Sequence, residues 1–382
     1  MIKYAEYKDS GIEWIGQIPT SWNITKLRYL CRIKTGNKDT ANSIPDGQYP
    51  FYVRSPNIER IDSFSFDGEA ILTAGDGVGA GKVFHYAKGK FDYHQRVYNL
   101  HHFSDVYGKF LFYYMSENFH NEIERGNAKS TVDSIRLPML QDFPISMPKI
   151  GTQVAVVSYL DRKTAKINNI IADKEKLIEL LKEKRRAIIS EAVTRGLNPS
   201  VQTKDSGIDW IGEVPAHWEI KPLFTVAFEN KAKNSGNQCT NLLSLSYGKI
   251  IKKDIDTNFG LLPESFETYQ IVEDGYTILR LTDLQNDKRS LRSGFVSEKG
   301  IITSAYVGLI PADDVDGLFL SDLLHAYDLM KIFYSLGNGV RQSMNYKDLK
   351  RLPILLPPKS EQKLISNYLR NKTAEIDDLI ST

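Results

Sequence analysis

The chain has 382 residues and carries 49 Lys+Arg against 47 Asp+Glu, a formal net charge of +2. Its 41% apolar and 25% charged residues are the mix of a folded globular protein, and the length predicts two or three domains at roughly 100–200 residues each. No apolar run approaches the ~20 residues a bilayer needs, the first residues lack the apolar stretch of a signal peptide, and Cys31 and Cys239 suggest neither a disulfide framework nor a zinc site, so the expectation is a cytoplasmic protein without a membrane partner.

In chain order the first feature is Lys8-Asp9-Ser10-Gly11-Ile12-Glu13-Trp14-Ile15-Gly16-Gln17-Ile18-Pro19, with Trp22 three residues on. From residue 23 to 150 short strand-like runs alternate with turn clusters. Residues 70–73 read as a strand and 108–119 as a helix. Residues 22–150 carry 16 Lys/Arg and 14 Asp/Glu, so this stretch has no basic excess to announce a nucleic acid.

Residues 152–195 then read as one long helix. Val157, Leu160, Ile167, Ile171, Ile178, Leu181, Ile188 and Ala192 recur at three- and four-residue steps, interrupted at seam positions by Thr164, Lys174 and Arg185. This heptad pattern argues for coiled-coil packing, because a helix of about 65 Å cannot bury its own stripe. Gly196, with Pro199 beyond, fits the C-terminal stop.

The opening segment now returns at an offset of 196: Lys204-Asp205-Ser206-Gly207-Ile208-Asp209-Trp210-Ile211-Gly212-Glu213-Val214-Pro215, followed by Trp218. A second mixed stretch follows, with 17 Lys/Arg and 17 Asp/Glu over residues 218–359. Within it, residues 276–279 read as a strand and 318–333 as a helix. After Pro357-Pro358 a helix opens at Glu361, and Leu369, Thr373, Ile376 and Ile380 repeat the seam. The closing segments also match, at an offset of 209: Pro144, Pro148, Gln153, Tyr159, Leu160, Thr164, Ala165 and Ile167 correspond to Pro353, Pro357, Gln362, Tyr368, Leu369, Thr373, Ala374 and Ile376. One fold is therefore used twice, with divergent surfaces between like frames. The domain boundaries expected are 1–151, a spacer helix 152–196, 197–359, and a short C-terminal spacer helix 360–382.

Enzyme signatures fail on inspection. Gly75-Asp76-Gly77-Val78-Gly79-Ala80-Gly81-Lys82 resembles a phosphate-cradling loop, but Asp76 holds the first glycine place and Val83 the hydroxyl place. There is no Asn/Asp-Pro-Pro-aromatic segment, no Glu-x-Lys after Pro45-Asp46, and no metal-ligand spacing among the histidines. The expectation is no catalytic residue, no cofactor and no metal in this chain.

Two variable domains, each opened by Asp-Ser-Gly-Ile-Glu/Asp-Trp-Ile-Gly-x-Ile/Val-Pro-x-x-Trp and closed by Pro-x-x-x-Pro-x-x-x-x-Gln before a helix, closely resemble the specificity subunits of Type I restriction–modification systems. Phe91-Asp92-Tyr93-His94-Gln95-Arg96-Val97-Tyr98 is similar to segments of that family's recognition domains. The resemblance implies an α+β fold: two similar mixed α/β target recognition domains in pseudo-twofold arrangement, joined by long antiparallel coiled-coil helices. It implies a non-catalytic reader of a bipartite, asymmetric double-stranded DNA target. Two adenine-N6 methyltransferase subunits and, through them, ATP-dependent restriction/translocase subunits are the implied partners, and S-adenosylmethionine, ATP and Mg belong to those partners. The alternative is a coiled-coil scaffold that binds proteins alone, or a truncated subunit without independent DNA reading. By the offset of 209, Thr382 matches Asp173, whereas the family commonly has a longer second helix.

Base readout favours Arg/Lys for guanine and Asn/Gln for adenine, while hydroxyls and further cations hold phosphates. On that basis the candidates in the first domain are Lys34, Thr35, Asn37, Lys38, Arg54, Gln95 and Arg96, then Arg125, Asn127, Lys129, Ser130 and Thr131. In the second they are Lys231, Lys233 and Arg280, then Gln285, Asn286, Lys288, Arg289 and Arg292, then Arg341, Gln342 and Ser343. Each group follows or interrupts an apolar run, which predicts an exposed loop.

Overall fold

The computed structural model describes residues 4–126, 134–254, 265–284, 291–336 and 343–381, without the side chains of 125, 126 and 335. The chain divides into two compact units, Met1–Ile171 and Ala172–Thr382.

In the first unit the opening frame is a small hairpin, Tyr7–Asp9 antiparallel to Gln17–Pro19. Its turn is closed by its own polar side chains: Asp9 accepts from the Gly11 N–H at 2.9 Å, and Ser10 from the Ile12 N–H at 3.2 Å. Trp14 stacks on Phe143 with ring centroids 5.7 Å apart, which ties the frame to the far end of the domain. Asn23–Lys26 then pairs antiparallel with Pro144–Met147, so the first and last strands of the variable stretch close on one another.

Between them lies a six-stranded sheet in the spatial order Arg32–Thr35, Val97–His101, Phe66–Ala74, Phe84–Tyr93, Tyr49–Tyr52, Ile58–Ile61. All neighbours are antiparallel except Tyr49–Tyr52 with Phe84–Tyr93, which run parallel. The strand expected at residues 70–73 lies within Phe66–Ala74 and is buried throughout because both its faces are covered. Ile71 packs with Leu100, Phe110 and Met115 on one side, and Ala70 and Leu72 pack with Phe91 and Tyr93 on the other. Helix Gly108–Asn118 supplies Phe110, Leu111 and Met115 to the first of these clusters.

The second unit repeats the frame: Thr203–Asp205 pairs with Glu213–Pro215, and Glu219–Pro222 with Pro353–Leu356. Its interior differs. A four-stranded sheet runs Ala227–Glu229, Val307–Pro311, Thr277–Leu279, Ser293–Phe295, flanked by the hairpin Leu243–Ser246/Lys249–Lys252 and the pair Gln270–Val272/Gly300–Ile302. Asp316 caps helix Gly317–Leu329 by accepting from the Phe319 N–H at 3.0 Å. The single helix expected over residues 318–333 is in fact two. Lys331 adopts φ +63°, a left-handed conformation that ends the first helix, and Ile332–Leu336 starts afresh.

The long helix runs Ile150–Arg195 and stops at Gly196, φ +75°, whose N–H returns to Ala192 O at 3.1 Å. In the second unit its last turns pack antiparallel to helix Lys359–Ser381. Arg185 bonds Asp377 at 2.7 Å, while Gly196 lies against the Glu361 side chain. Ile189, Ala192 and Val193 join Ile365 and Leu369 in the core there.

The expected seam is thus only partly buried. Val157, Leu369 and Ile376 are buried, and Leu160, Ile178, Leu181, Ile188, Thr373 and Ile380 are half-buried. Thr164, Ile167 and Ile171 are exposed instead, the two isoleucines by 55% and 49%. Helix Lys359–Ser381 pairs with the last turns of the long helix, with Asp377 level with Arg185. Among the described residues no helix is long and apolar enough to cross a membrane.

Candidate nucleic-acid interface

In the first unit the described candidates gather around one turn. Strand Arg32–Thr35 carries Lys34 and Thr35, both exposed, and leads into Gly36. A Cβ at Gly36 would lie 2.0 Å from Tyr93 O, so only glycine lets this segment close on the Tyr93-His94 backbone. Lys38 then bridges His94 in parallel, and Gln95 N–H donates to Lys38 O at 2.8 Å. The Gln95 amide donates to Asp39 Oδ2 at 3.1 Å, which fixes the amide plane at the surface.

Arg54 and Arg96 meet at a carboxylate. Arg54 Nη1 donates to Asp76 Oδ1 and Arg96 Nη1 to Asp76 Oδ2, each at 3.0 Å. The Arg96 side chain remains largely exposed and that of Arg54 about half so, with the rest of each fork free of that carboxylate. Two cations thus share one anion at Asp76, with the Asp39 carboxylate close by on the same surface.

The turn is held from beneath. Asp92 is buried and accepts from Ser63 Oγ at 2.8 Å, Ser65 Oγ at 2.6 Å and the Tyr93 N–H at 3.1 Å. His94 is also buried, and its Nδ1 accepts from the Arg96 N–H at 2.9 Å, which puts the imidazole proton on Nε2, toward Asp39. Burial, aided by the Arg54 charge, holds His94 below the ordinary histidine range. Asp39 is held below the usual carboxylate range, chiefly by the Ala41 N–H.

Reasoning from base-reading residue types passes over Asp39 and Asp76, because carboxylates repel a phosphate backbone. The glycines around Asp76 were the available signal. Arg125 lies on helix His120–Gly126 with its side chain outside the described residues, as are Asn127, Lys129, Ser130 and Thr131.

In the second unit the candidates scatter. Lys231 and Lys233 are exposed; Lys231 approaches Glu229 at 3.7 Å, and Lys233 bridges Gln270. Arg280 is half-buried, and Ser343 is exposed beside the Met344 N–H that donates to Leu281 O at 2.9 Å. The first unit makes the equivalent link, Ile135 N–H to Gly75 O at 2.8 Å. Arg292 corrects the expectation of an exposed loop. It is fully buried, donating Nη1 to Thr282 O at 2.9 Å and Nη2 to Asp283 O at 3.3 Å, and therefore braces the interior. Gln285, Asn286, Lys288, Arg289, Arg341 and Gln342 lie outside the described residues. Among the described residues no cluster of His, Cys, Asp or Glu could hold a metal ion.

Residues 19–180 match the family model of the Type I restriction modification DNA specificity domain. The specificity subunit of the type I restriction enzyme EcoDI from Escherichia coli is 24% identical over 386 residues, covering 95% of this chain and 84% of that protein. The MjaVIII specificity subunit of Methanocaldococcus jannaschii is 22% identical over 403 residues, covering 95% and 88%. Among solved structures, the HsdS subunit from Thermoanaerobacter tengcongensis has the same fold at a TM-score of 0.55 and 14% identity, over 95% of this chain and 91% of that one. A chain from structural work on complex assembly and conformational transition of the type I R-M system gives 0.64 and 14%, over 95% and 93%. The doubled α+β unit with its long helix thus has the fold of these two structures. Residues 19–180 thus match the Type I DNA specificity domain, and over nearly its whole length the chain is similar to specificity subunits of type I restriction enzymes.

Proposed function

We propose that each unit reads one half of a bipartite, asymmetric sequence in double-stranded DNA, and that the helices dock two adenine-N6 methyltransferase subunits and, through them, ATP-dependent restriction subunits. S-adenosylmethionine, ATP and Mg then belong to the partners, and this chain contributes recognition alone. The observation that carries the reading is that Arg54, brought from a separate loop, meets Arg96 at Asp76 beside Gln95, each of the three fixed by a carboxylate.

Fixing matters because a guanidinium reads guanine O6 and N7 only when its plane is aligned, and an amide reads adenine N6 and N7 under the same constraint. Lys34, Thr35 and Lys38 suit phosphates, where a point charge or hydroxyl suffices and release of counterions supplies the affinity. The exposed Ile167 and Ile171, with Leu177 and Leu180 exposed further along the same helix, support protein docking there.

The test is to produce the full chain with its modification subunits in a host and map N6-methyladenine. A two-part motif with a fixed gap supports the reading. Methylation without a motif, or a motif of one part only, would sink it. A protein-only scaffold predicts no sequence-specific DNA binding by the assembled complex.

A further inference from the structure

The glycine-rich loop of residues 75–82 enters the reading above only through Asp76, yet its backbone is built onto both arginines. Its N–H at Gly75 donates to Arg96 O at 2.7 Å, and a Cβ there would lie 2.9 Å from that same oxygen. A Cβ at Gly79 would lie 2.3 Å from Arg54 O. The glycines are therefore required by close backbone approach to the two residues whose side chains Asp76 holds. Ala80 anchors the loop in the core. Between these fixed points Val78 stands out by 91%, the highest exposure of any large apolar side chain among the described residues. A lone exposed apolar residue is ordinary on a protein surface. This one sits on a loop held at Gly75 and Gly79, two residues from the carboxylate that joins the two guanidinium groups.

We propose that residues 75–82 form a base-reading finger of the first unit, with Val78 meeting the 5-methyl group of a thymine in the major groove and Asp76 positioning Arg54 and Arg96 on either side. The inference rests on the DNA reading above. Thymine is the one base that shows an apolar group in the major groove, and a branched aliphatic side chain is its natural contact. Asp76 occupies one Nη1 of each fork and leaves the remaining N–H groups of each guanidinium to a base or a phosphate.

The experiment uses the full chain assembled with its modification subunits. Duplexes are made in which each thymine of the first half-site is replaced in turn by deoxyuridine, which removes the methyl group alone. The wild-type complex should lose roughly four-fold in affinity at one such position, the worth of one buried methyl. Val78→Ala should bind the thymine duplex as weakly as wild type binds the uracil one, and should show no further loss on uracil. Asp76→Asn should relax the methylation motif at first-half positions only, leaving the second half and the melting temperature unchanged, and Asp76→Glu should restore part of the preference. A wild-type complex that reads its bipartite target with no penalty for any uracil, or Val78→Ala with an unchanged penalty, overturns the finger and leaves the DNA reading standing. A wild-type complex with no sequence preference overturns both.

Discussion

Gln153 and Gln362, 209 residues apart in the chain, make the same pair of hydrogen bonds in the two units. Gln153 Oε1 accepts from the Tyr107 N–H at 2.8 Å and its Nε2 donates to Pro148 O at 2.9 Å. Gln362 Oε1 accepts from the Asp316 N–H at 2.7 Å and its Nε2 donates to Pro357 O at 2.8 Å. Each glutamine thereby locks the first turns of a spacer helix onto the N-terminus of the helix packed beside its unit's sheet. Both are buried, so neither backbone group has water as a substitute. Gln153→Leu and Gln362→Leu should each cost about 1–3 kcal/mol, read from urea unfolding of the whole chain. A loss within measurement error at both sites would show that the amide bonds are replaced at no cost.

The arginine pair gives a specificity test. Arg54→Ala or Arg96→Ala should weaken cognate binding by about 1–3 kcal/mol and relax one position of the first half-site. Lysine should not rescue either, since it lacks the planar fork. Lys38→Ala should instead lower affinity across all sequences and reduce the salt slope by about 1. Equal effects on cognate and random duplexes for both arginines would assign them to phosphates.

Asp322 and His325 lie one turn apart on helix Gly317–Leu329 and line a cavity of about 490 Å³ that Lys182, Arg185, Arg186, Lys249 and Arg370 also face. Burial pushes the Asp322 carboxyl up to about 7, against the pull of Arg370, and pushes His325 down to about 4, aided by Arg185. Between its ordinary value of 3.8 and about 7, folded Asp322 keeps a proton that the unfolded chain releases, so its contribution to stability falls as pH rises. Between 6.5 and about 4, unfolded His325 takes a proton that the folded chain refuses, so its contribution falls as pH drops. The two slopes oppose one another across the shared window. Asp322→Asn should therefore gain on wild type as pH rises toward 7, and its melting temperature should climb from pH 4 to 6.5. A constant difference between variant and wild type from pH 4 to 8 would mean that this carboxyl ionises normally.

Deleting four residues at 174–177 shortens the long helix by about 6 Å, nearly two base pairs of rise along B-DNA, and shifts its heptad register. Methylation mapping should then return the same two half-sites with a changed gap, or the complex should fail to assemble. An unchanged gap in an assembled complex would mean that this helix does not set the spacing.

The sequence alone determined the repeated frames, the offsets of 196 and 209, the long helix and its stop at Gly196, because these rest on identity and on local periodicity. It also placed Lys38, Arg54, Gln95 and Arg96 as candidates, since their chemistry is a property of residue type. Only the tertiary structure decided which of them meet. Arg54, Asp76 and Arg96 lie in separate loops of the sheet domain, joined by contacts across 22 and 20 residues that no local pattern encodes. The same holds for Arg292, which reads in sequence like its neighbour Arg280 but is drawn inside by the carbonyls of Thr282 and Asp283. The break at Lys331 and the exposed Ile167 and Ile171 follow the same rule: the apolar spacing was present, but burial depends on what another segment brings against it.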